Sequence, residues 1–195
     1  MRLVMDLNTV FFIGPQGSGK GTQAKILSKR LGFFSWDMGG ILRAMRQENS
    51  GLAKKVTELI DQGVLLSDEI LLEVVKSKLS DIPAQKGVIF DGVPRRLGQA
   101  EFLLNELKNQ GRQNFATLFI NLPEEESLNR LLLRAKSEGR ADDTKEKIEF
   151  RLKQYKEDTL PVLDFLKQQT RFFEVDGNQS VEAVTEDINR VLKLS

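Results

Sequence analysis

Chemistry in this chain has to proceed without imidazole or thiolate, because the sequence contains no histidine and no cysteine. That removes mechanisms built on an imidazole base, and it removes disulfides and zinc sites built on thiolates. The groups left in a suggestive order are lysine, arginine, aspartate and glycine. The stretch Gly14-Pro15-Gln16-Gly17-Ser18-Gly19-Lys20 has the spacing G-x-x-x-x-G-K. It follows the apolar run Thr9–Ile13 and opens a helical pattern, the context in which such a loop cradles phosphate. Glycines let backbone N–H groups turn inward on phosphate oxygens, and the helix N-terminus adds its positive end. Lys20 supplies a point charge for the terminal phosphates. Serine or threonine usually follows that lysine and holds magnesium through its hydroxyl. Here Gly21 follows, and Thr22 carries the hydroxyl one residue further on. Thr22 would then reach either phosphate or a magnesium-bound water.

Other residues suit the same chemistry. Asp91 comes directly after Val88-Ile89-Phe90, at the carboxyl end of an expected strand. A carboxylate there either orients magnesium through water or caps a turn. Arg95 stands just past Pro94 at an expected helix start, and its planar fork matches a monophosphate. Gln99 lies four residues on, on the same helical face, with an amide able to pair a base edge. Arg130 and Arg134 are four apart on one expected helix, Arg140 follows Ser137-Glu138-Gly139, and Arg151 lies on the next helix. Scattered arginines otherwise make solvated faces or ion pairs. Phosphoryl transfer asks mainly for positioning and charge stabilisation, so cations and magnesium suffice.

The elements that must position these groups alternate. Thr9–Gly14, 87–92, 115–123 and 171–177 read as strands, with 33–36 as a fifth. The stretch after Lys20 puts Ala24, Ile26, Leu27 and Leu31 at helical spacing and stops at Gly32. Further helical patterns cover 67–80, 96–110, 124–137, 144–168 and 180–193. The region 39–62 reads as two shorter helices broken near Ser50-Gly51. Ser67 and Ser180, each followed by acidic residues, are helix starts. Alternation of this kind implies an α/β fold with a mostly parallel sheet covered on both faces, its ligands at the carboxyl ends of the strands. With 195 residues and no linker, one domain spanning 1–195 is the simplest reading. A formal net charge of +1 gives no case for nucleic-acid or membrane partners. The first ten residues do not read as a signal peptide, and a cytoplasmic protein is expected.

Four ordered segments carry a resemblance to adenylate kinases. Beside the phosphate loop with its Gly21-Thr22 ending, FDGVPRRLGQA (90–100) resembles their F-D-G-F-P-R-x-x-x-Q-A. DQGVLLSDEIL (61–71) resembles their G-x-L-V-x-D-E-x-V. The stretch 139–165 resembles their G-R-x-D-D, R-L-x-x-Y and T-x-P segment. The matches run from Phe11 to Phe165. The resemblance implies a three-layer phosphate-loop fold with a mostly parallel five-stranded sheet. It adds a mobile monophosphate-binding lobe at about 37–66 and a lid at about 133–143. It implies a monomer that converts ATP and AMP into two ADP with magnesium. Gly17, Ser18, Gly19, Lys20, Gly21 and Thr22 would hold ATP phosphates. Arg130 would lie against the ATP adenine, with Arg134 on the phosphates and Gln179 also at the ATP site. Arg140 and Arg151 would bridge the phosphates of both substrates, held by Asp142 and Asp143. AMP would meet Met38, Arg43, Val64, Leu65, Leu66, Gly92, Val93, Pro94, Arg95 and Gln99. Lys20, Asp91, Arg95, Arg134, Arg140 and Arg151 would carry the transfer, Asp91 placing the metal through water. Only five residues separate Arg134 from Arg140, so the resemblance is to the short-lid form, without zinc.

One segment departs from that pattern. Adenylate kinases typically read S-T-G-D-x-L-R where this chain has DMGGILR (37–43). Met38 replaces a threonine and Gly40 an aspartate; Val93 replaces a phenylalanine. Losing one neutral hydrogen bond at Met38 costs about 0.5–1.5 kcal/mol, about tenfold in affinity at most. Gln99 argues for adenine, since related pyrimidine monophosphate kinases usually carry asparagine there. A kinase for UMP or CMP, and a nucleotide-binding protein whose catalysis has decayed, stay open as alternatives.

Overall fold

The computed structural model describes residues 7–61, 66–138 and 144–194. Val64, Leu65, Arg140, Asp142 and Asp143 therefore lie outside the described residues. The sheet is built from β1 (Thr9–Ile13), β2 (Phe34–Asp37), β3 (Val88–Asp91), β4 (Phe115–Asn121) and β5 (Arg171–Asp176). Its order is β2-β3-β1-β4-β5, and every pairing is parallel. The chain moves from β1 to one side through β2 and β3, then crosses to β4 on the other. The carboxyl end of central β1 is thus the switch point of the sheet, where α/β folds bind ligands. All five expected strands are present, and 33–36 is the edge strand β2, shifted by one residue.

Alternation along β1 assigns the two faces. Phe11 and Ile13 join the core beneath α4 (Asp68–Leu79), α5 (Leu97–Asn109) and α8 (Leu160–Gln169). Val10 and Phe12 join the opposite core, beneath α1 (Lys20–Leu31) and α9 (Val181–Val191). Aromatic rings bind the first core across strands: Phe11 stacks on Phe90 at 5.4 Å, and Trp36 meets Phe90 at 5.3 Å. Such pairs add about 0.5–1.5 kcal/mol each beyond area burial. The region after β2 holds α2 (Met38–Ala44), a short 3₁₀ turn (Met45–Gln47) and α3 (Gly51–Asp61). Met38, Met45, Ala53 and Val56 anchor it in the first core. A third apolar cluster joins α6 (Glu124–Glu138) to α7 (Lys145–Gln154) through Leu131, Ile148 and Leu152.

Of the residues before β1, Leu7 and Asn8 are described, and neither belongs to a strand. Leu7 is buried in the second core, and Asn8 ties strand starts together: its N–H donates to Asn114 O and its carbonyl accepts from Val88 N–H. The stretch expected as one helix over 144–168 is helical throughout but carries a π turn at Tyr155–Thr159 between α7 and α8. Apolar periodicity misses it, because one inserted residue shifts the phase of the helix without ending it.

Candidate functional site

The phosphate loop forms where β1 ends and α1 begins. Gly14 has φ +153°, and a Cβ on it would lie 2.3 Å from Ile120 O, so β4 closes that side. Gly17 and Gly19 are left-handed at φ +84° and +89°, a backbone that L side chains resist. The loop leans on α6: Ser127 is buried and its Oγ donates to Gln16 O. A Cβ on Gly17 would sit 3.1 Å from Ser127 O. Lys20 Nζ folds back to donate to Pro15 O at 2.7 Å. Ser18 is buried, with Oγ 3.4 Å from Lys20 Nζ, and Thr22 is exposed on α1.

Gly21 has a spatial explanation. A Cβ there would lie 3.0 Å from Asp91 Oδ2. The carboxylate at the end of β3 therefore occupies the ground that a side chain at 21 would need. Asp91 and Lys20 also share an electrostatic neighbourhood. Desolvation lowers the Lys20 pKa to about 8; Arg95 and Arg134 push the same way, and Asp91 opposes them. Desolvation raises the Asp91 pKa, the negative Asp37 adds to this, and Lys20 and Arg95 oppose. Arg95 is lowered by desolvation and by Arg151, against the pull of Asp91. Its exposed surface is the wall of a concavity, which leaves it accessible yet surrounded by protein and like charge. Sequence-distant Lys20, Asp91, Arg95, Arg134 and Arg151 thus converge.

The residues fit hydrated magnesium: a carboxylate beside the phosphate-loop lysine, with the adjoining cradle kept open by glycine. Among the described residues no three His, Cys, Asp or Glu side chains gather as a metal cage. A metal here would be held through water and substrate phosphates rather than by a protein cage.

Next to this charge cluster lies a cavity of about 160 Å³. Met38, Leu66 and Leu71 supply apolar wall, and Arg95, Gln99 and Arg151 supply polar wall. It shares Gln16, Gly92, Arg95, Tyr155 and Thr159 with a smaller pocket that reaches Gly14, Lys20, Val93 and Pro94. The cavity therefore leads to the phosphate loop. Arg95 is not at a helix start as expected. It precedes α5 by two residues, after a cis Val93–Pro94 bond. Its coupling to Gln99 is a direct hydrogen bond rather than a shared helical face: Arg95 N–H donates to Gln99 Oε1 at 2.8 Å. The Arg95 Nε–H donates to Gly92 O at 2.8 Å.

The altered stretch after β2 has a local logic. Asp37 Oδ2 lies 2.6 Å from where a Cβ on Gly40 would be, and 3.7 Å from Arg43 Nη2. The acid expected at 40 is carried instead at 37, and the glycine leaves room for it. Met38 is buried against the cavity. Arg43 is largely exposed and is not among the cavity-lining residues.

At the other end of the loop, Arg130 is braced by Glu126 (2.7 Å) and by Gly177 O (3.0 Å). Its Cβ is 3.6 Å from the Cβ position of Gly17. Gln179 turns toward its own loop and α9, donating to Asp176 O and Asp187 Oδ2. Three site residues escaped the sequence reading. Tyr155 lines both pockets, and its buried hydroxyl has no hydrogen-bond partner among the described residues; burial raises its pKa. Asp68 and Arg96 brace Gln99 and the cavity wall. Asp68 is legible as a helix-start acid and as part of the matched 61–71 segment, but not as a partner of Arg96 and Gln99, which are 28 and 31 residues away.

A switch-point phosphate loop, a strand-end aspartate and a cationic cavity beside it define the class: an ATP-dependent nucleoside monophosphate kinase. Comparison with known proteins narrows this. The family model described as Adenylate kinase matches residues 12–171. The adenylate kinase of Phocaeicola vulgatus is 38% identical over 182 residues, covering 93% of this chain and 96% of that protein. That of a Cyanothece species is 39% identical, covering 94% of each. That of Hyphomonas neptunium is 36% identical over 97% of this chain and all of the relative. The chain belongs to the adenylate kinase family.

Proposed function

We propose that the chain transfers the γ-phosphoryl group of ATP to AMP, reversibly, giving two ADP. The observation that carries this is the cluster in which Asp91, Arg95 and Arg134 act on Lys20, and Arg151 on Arg95, beside a cavity walled by Arg95, Gln99 and Arg151. ATP phosphates lie in the loop from Gly17 to Thr22, with the base toward Arg130 and Gln179. The monophosphate enters the cavity, its phosphate on Arg95 and Arg151 and its base toward Gln99, Met38 and Leu66. Arg43 reaches the same phosphate when the lobe at about 37–66 swings inward; Val64, Leu65, Gly92, Val93 and Pro94 complete that side. Arg134 and Arg140 follow with closure of the lid at about 133–143. Closure excludes water that would otherwise accept the phosphoryl group.

Lys20 and the arginines stabilise charge on the transferring group, and positioning does most of the remaining work. Magnesium, when bound with ATP, neutralises phosphate charge and orients the donor. Asp91 would hold the ion through water, and Thr22 is close enough in sequence to assist. No other cofactor, and no zinc, is part of the proposal. Among the described residues no helix is long and apolar enough to cross a membrane. A cytoplasmic monomer acting on free nucleotides, without nucleic-acid partners, is the working state proposed.

Met38 favours one rival, a pyrimidine monophosphate kinase, because it cannot replace a threonine hydroxyl bond. The test is ADP production from ATP with AMP, UMP, CMP, GMP and dAMP, with and without magnesium. Magnesium-dependent turnover highest with AMP is expected. Equal or greater turnover with UMP or CMP would overturn the AMP assignment. ATP binding without ADP from any acceptor would point to a decayed enzyme.

A further inference from the structure

Gln99 is 4% exposed and its amide is committed at both ends. Oε1 accepts from Arg95 N–H at 2.8 Å, and Nε2 donates to Asp68 Oδ1 at 2.7 Å. A backbone N–H can only donate and a carboxylate can only accept. The two partners therefore dictate the same orientation of the amide independently. Asp68 is itself held, since its Oδ1 also accepts from Arg96 Nη1 at 3.3 Å. Arg96 reaches on to Asp158 Oδ2 at 3.2 Å, on the π turn across the cavity. The chain Asp158–Arg96–Asp68–Gln99 thus runs from one wall of the cavity to another.

We propose that Asp68 is a positioning residue for base selection: it locks the Gln99 amide so that the cavity accepts a 6-aminopurine and rejects a 6-oxopurine. This rests on reading the cavity as the monophosphate site. With one N–H and one lone pair taken, Gln99 offers the cavity one further N–H and one further lone pair. Adenine presents a 6-amino donor beside a ring-nitrogen acceptor, the complement of that pair. A 6-oxopurine presents a carbonyl oxygen where the amino group was, which faces the amide oxygen. Rotating the amide to suit it would set the NH₂ against Arg95 N–H and the oxygen against the Asp68 carboxylate. Discrimination then comes from the two polar partners that forbid rotation.

Asparagine at 68 can turn either its NH₂ or its oxygen toward Gln99, so the acceptor-only constraint is lost and the amide is held by Arg95 N–H and by the weaker pull of Arg96 on the asparagine oxygen. The test measures kcat/KM for AMP and for its 6-oxo analogue IMP, with saturating ATP, in the natural protein, Asp68→Asn and Asp68→Glu. The natural protein is expected to favour AMP. In Asp68→Asn the AMP-to-IMP ratio falls roughly tenfold, the worth of one hydrogen bond. KM for ATP stays unchanged, and Asp68→Glu, still acceptor-only, keeps most of the discrimination. Asp68→Asn lowering both monophosphates by one factor, or altering neither, would overturn the lock while leaving the adenine assignment intact. A natural protein that turns over IMP as well as AMP would overturn both. Calorimetric titration of AMP and IMP reads the same ratio from binding alone if a variant turns over too slowly.

Discussion

Two residues of the phosphate loop make separable predictions. Gly21 leaves room for Asp91 rather than merely lacking a hydroxyl. Gly21→Ala would press a methyl against Asp91 Oδ2, 3.0 Å away. We expect kcat to fall by about 10- to 100-fold, the scale of misplacing a group by an ångström. The magnesium concentration for half-maximal rate should rise and Tm should barely move. An unchanged magnesium titration would remove Asp91 from the metal's surroundings. Lys20, at a pKa of about 8, loses its charge well below an ordinary lysine. The profile of kcat/KM for ATP, which reports the free enzyme, should therefore decline as pH rises through about 8. The profile of kcat should hold to higher pH, because bound phosphates favour the charged lysine. The stability sign is opposite. Between about 8 and 10.5 the unfolded chain keeps the Lys20 proton that the folded chain has lost, so this group's contribution to stability rises with pH. Lys20→Met should abolish both trends.

Elements hold these residues through contacts between their ends. The turn after β5 is pinned to β4, with Gly177 N–H donating to Asn121 O at 2.7 Å and Gly177 O holding Arg130. A Cβ on Gly177 would stand 2.7 Å from Ile120 Cγ2 and 2.8 Å from Asn121 O. Gly177→Ala should cost about 1–3 kcal/mol by overpacking, seen as a lower denaturant midpoint. It should also raise KM for ATP while leaving KM for AMP in place, because the displaced turn holds Arg130 and lies beside Ser18 of the phosphate loop, away from the cavity. Equal changes in the two KM values would argue against placing the ATP base there. The π turn is the comparable device on the other side. It swings Tyr155, Asp158 and Thr159 toward the cavity, and Thr159 Oγ1 donates to Arg95 O at 3.1 Å.

Across the whole molecule the two ends of the sheet divide the work. The carboxyl ends of β1, β2 and β3 meet the site. The amino ends are tied by Arg112, fully buried, which donates to Lys86 O and to Pro83 O (2.8 Å). Arg112→Leu would strand those two carbonyls at about 1–3 kcal/mol each. At this size Tm should fall by roughly 2–4 °C for each kcal/mol. Steady-state constants at 25 °C should match the natural protein, since the change lies at the far pole from the chemistry. A fall in kcat without a fall in Tm would contradict that division.

Much of this was legible in the linear order of residues. Strand-loop-helix punctuation at Thr9–Gly21, the apolar run ending in Asp91, and the alternation of strands and helices are local signals. They depend on backbone preferences and on apolar periods of 2 and 3.6, which a sequence displays directly. The phosphate loop, the parallel sheet and the five strands followed from them. Tertiary structure alone decided the rest. Arg95 hydrogen-bonds Gln99 from the turn before α5 rather than from a shared helical face. Gly21 and Gly40 are small because carboxylates of Asp91 and Asp37 fill the adjoining space. Asp68 meets Gln99 and Arg96 across about thirty residues of chain. Gly21 with Asp91, and Asp68 with Gln99 and Arg96, meet across different elements, so their contacts depend on distances set by packing that no local pattern encodes. Arg95 with Gln99, and Asp37 with Gly40, are near in sequence, but which atoms meet depends on how the chain turns into α5 and α2.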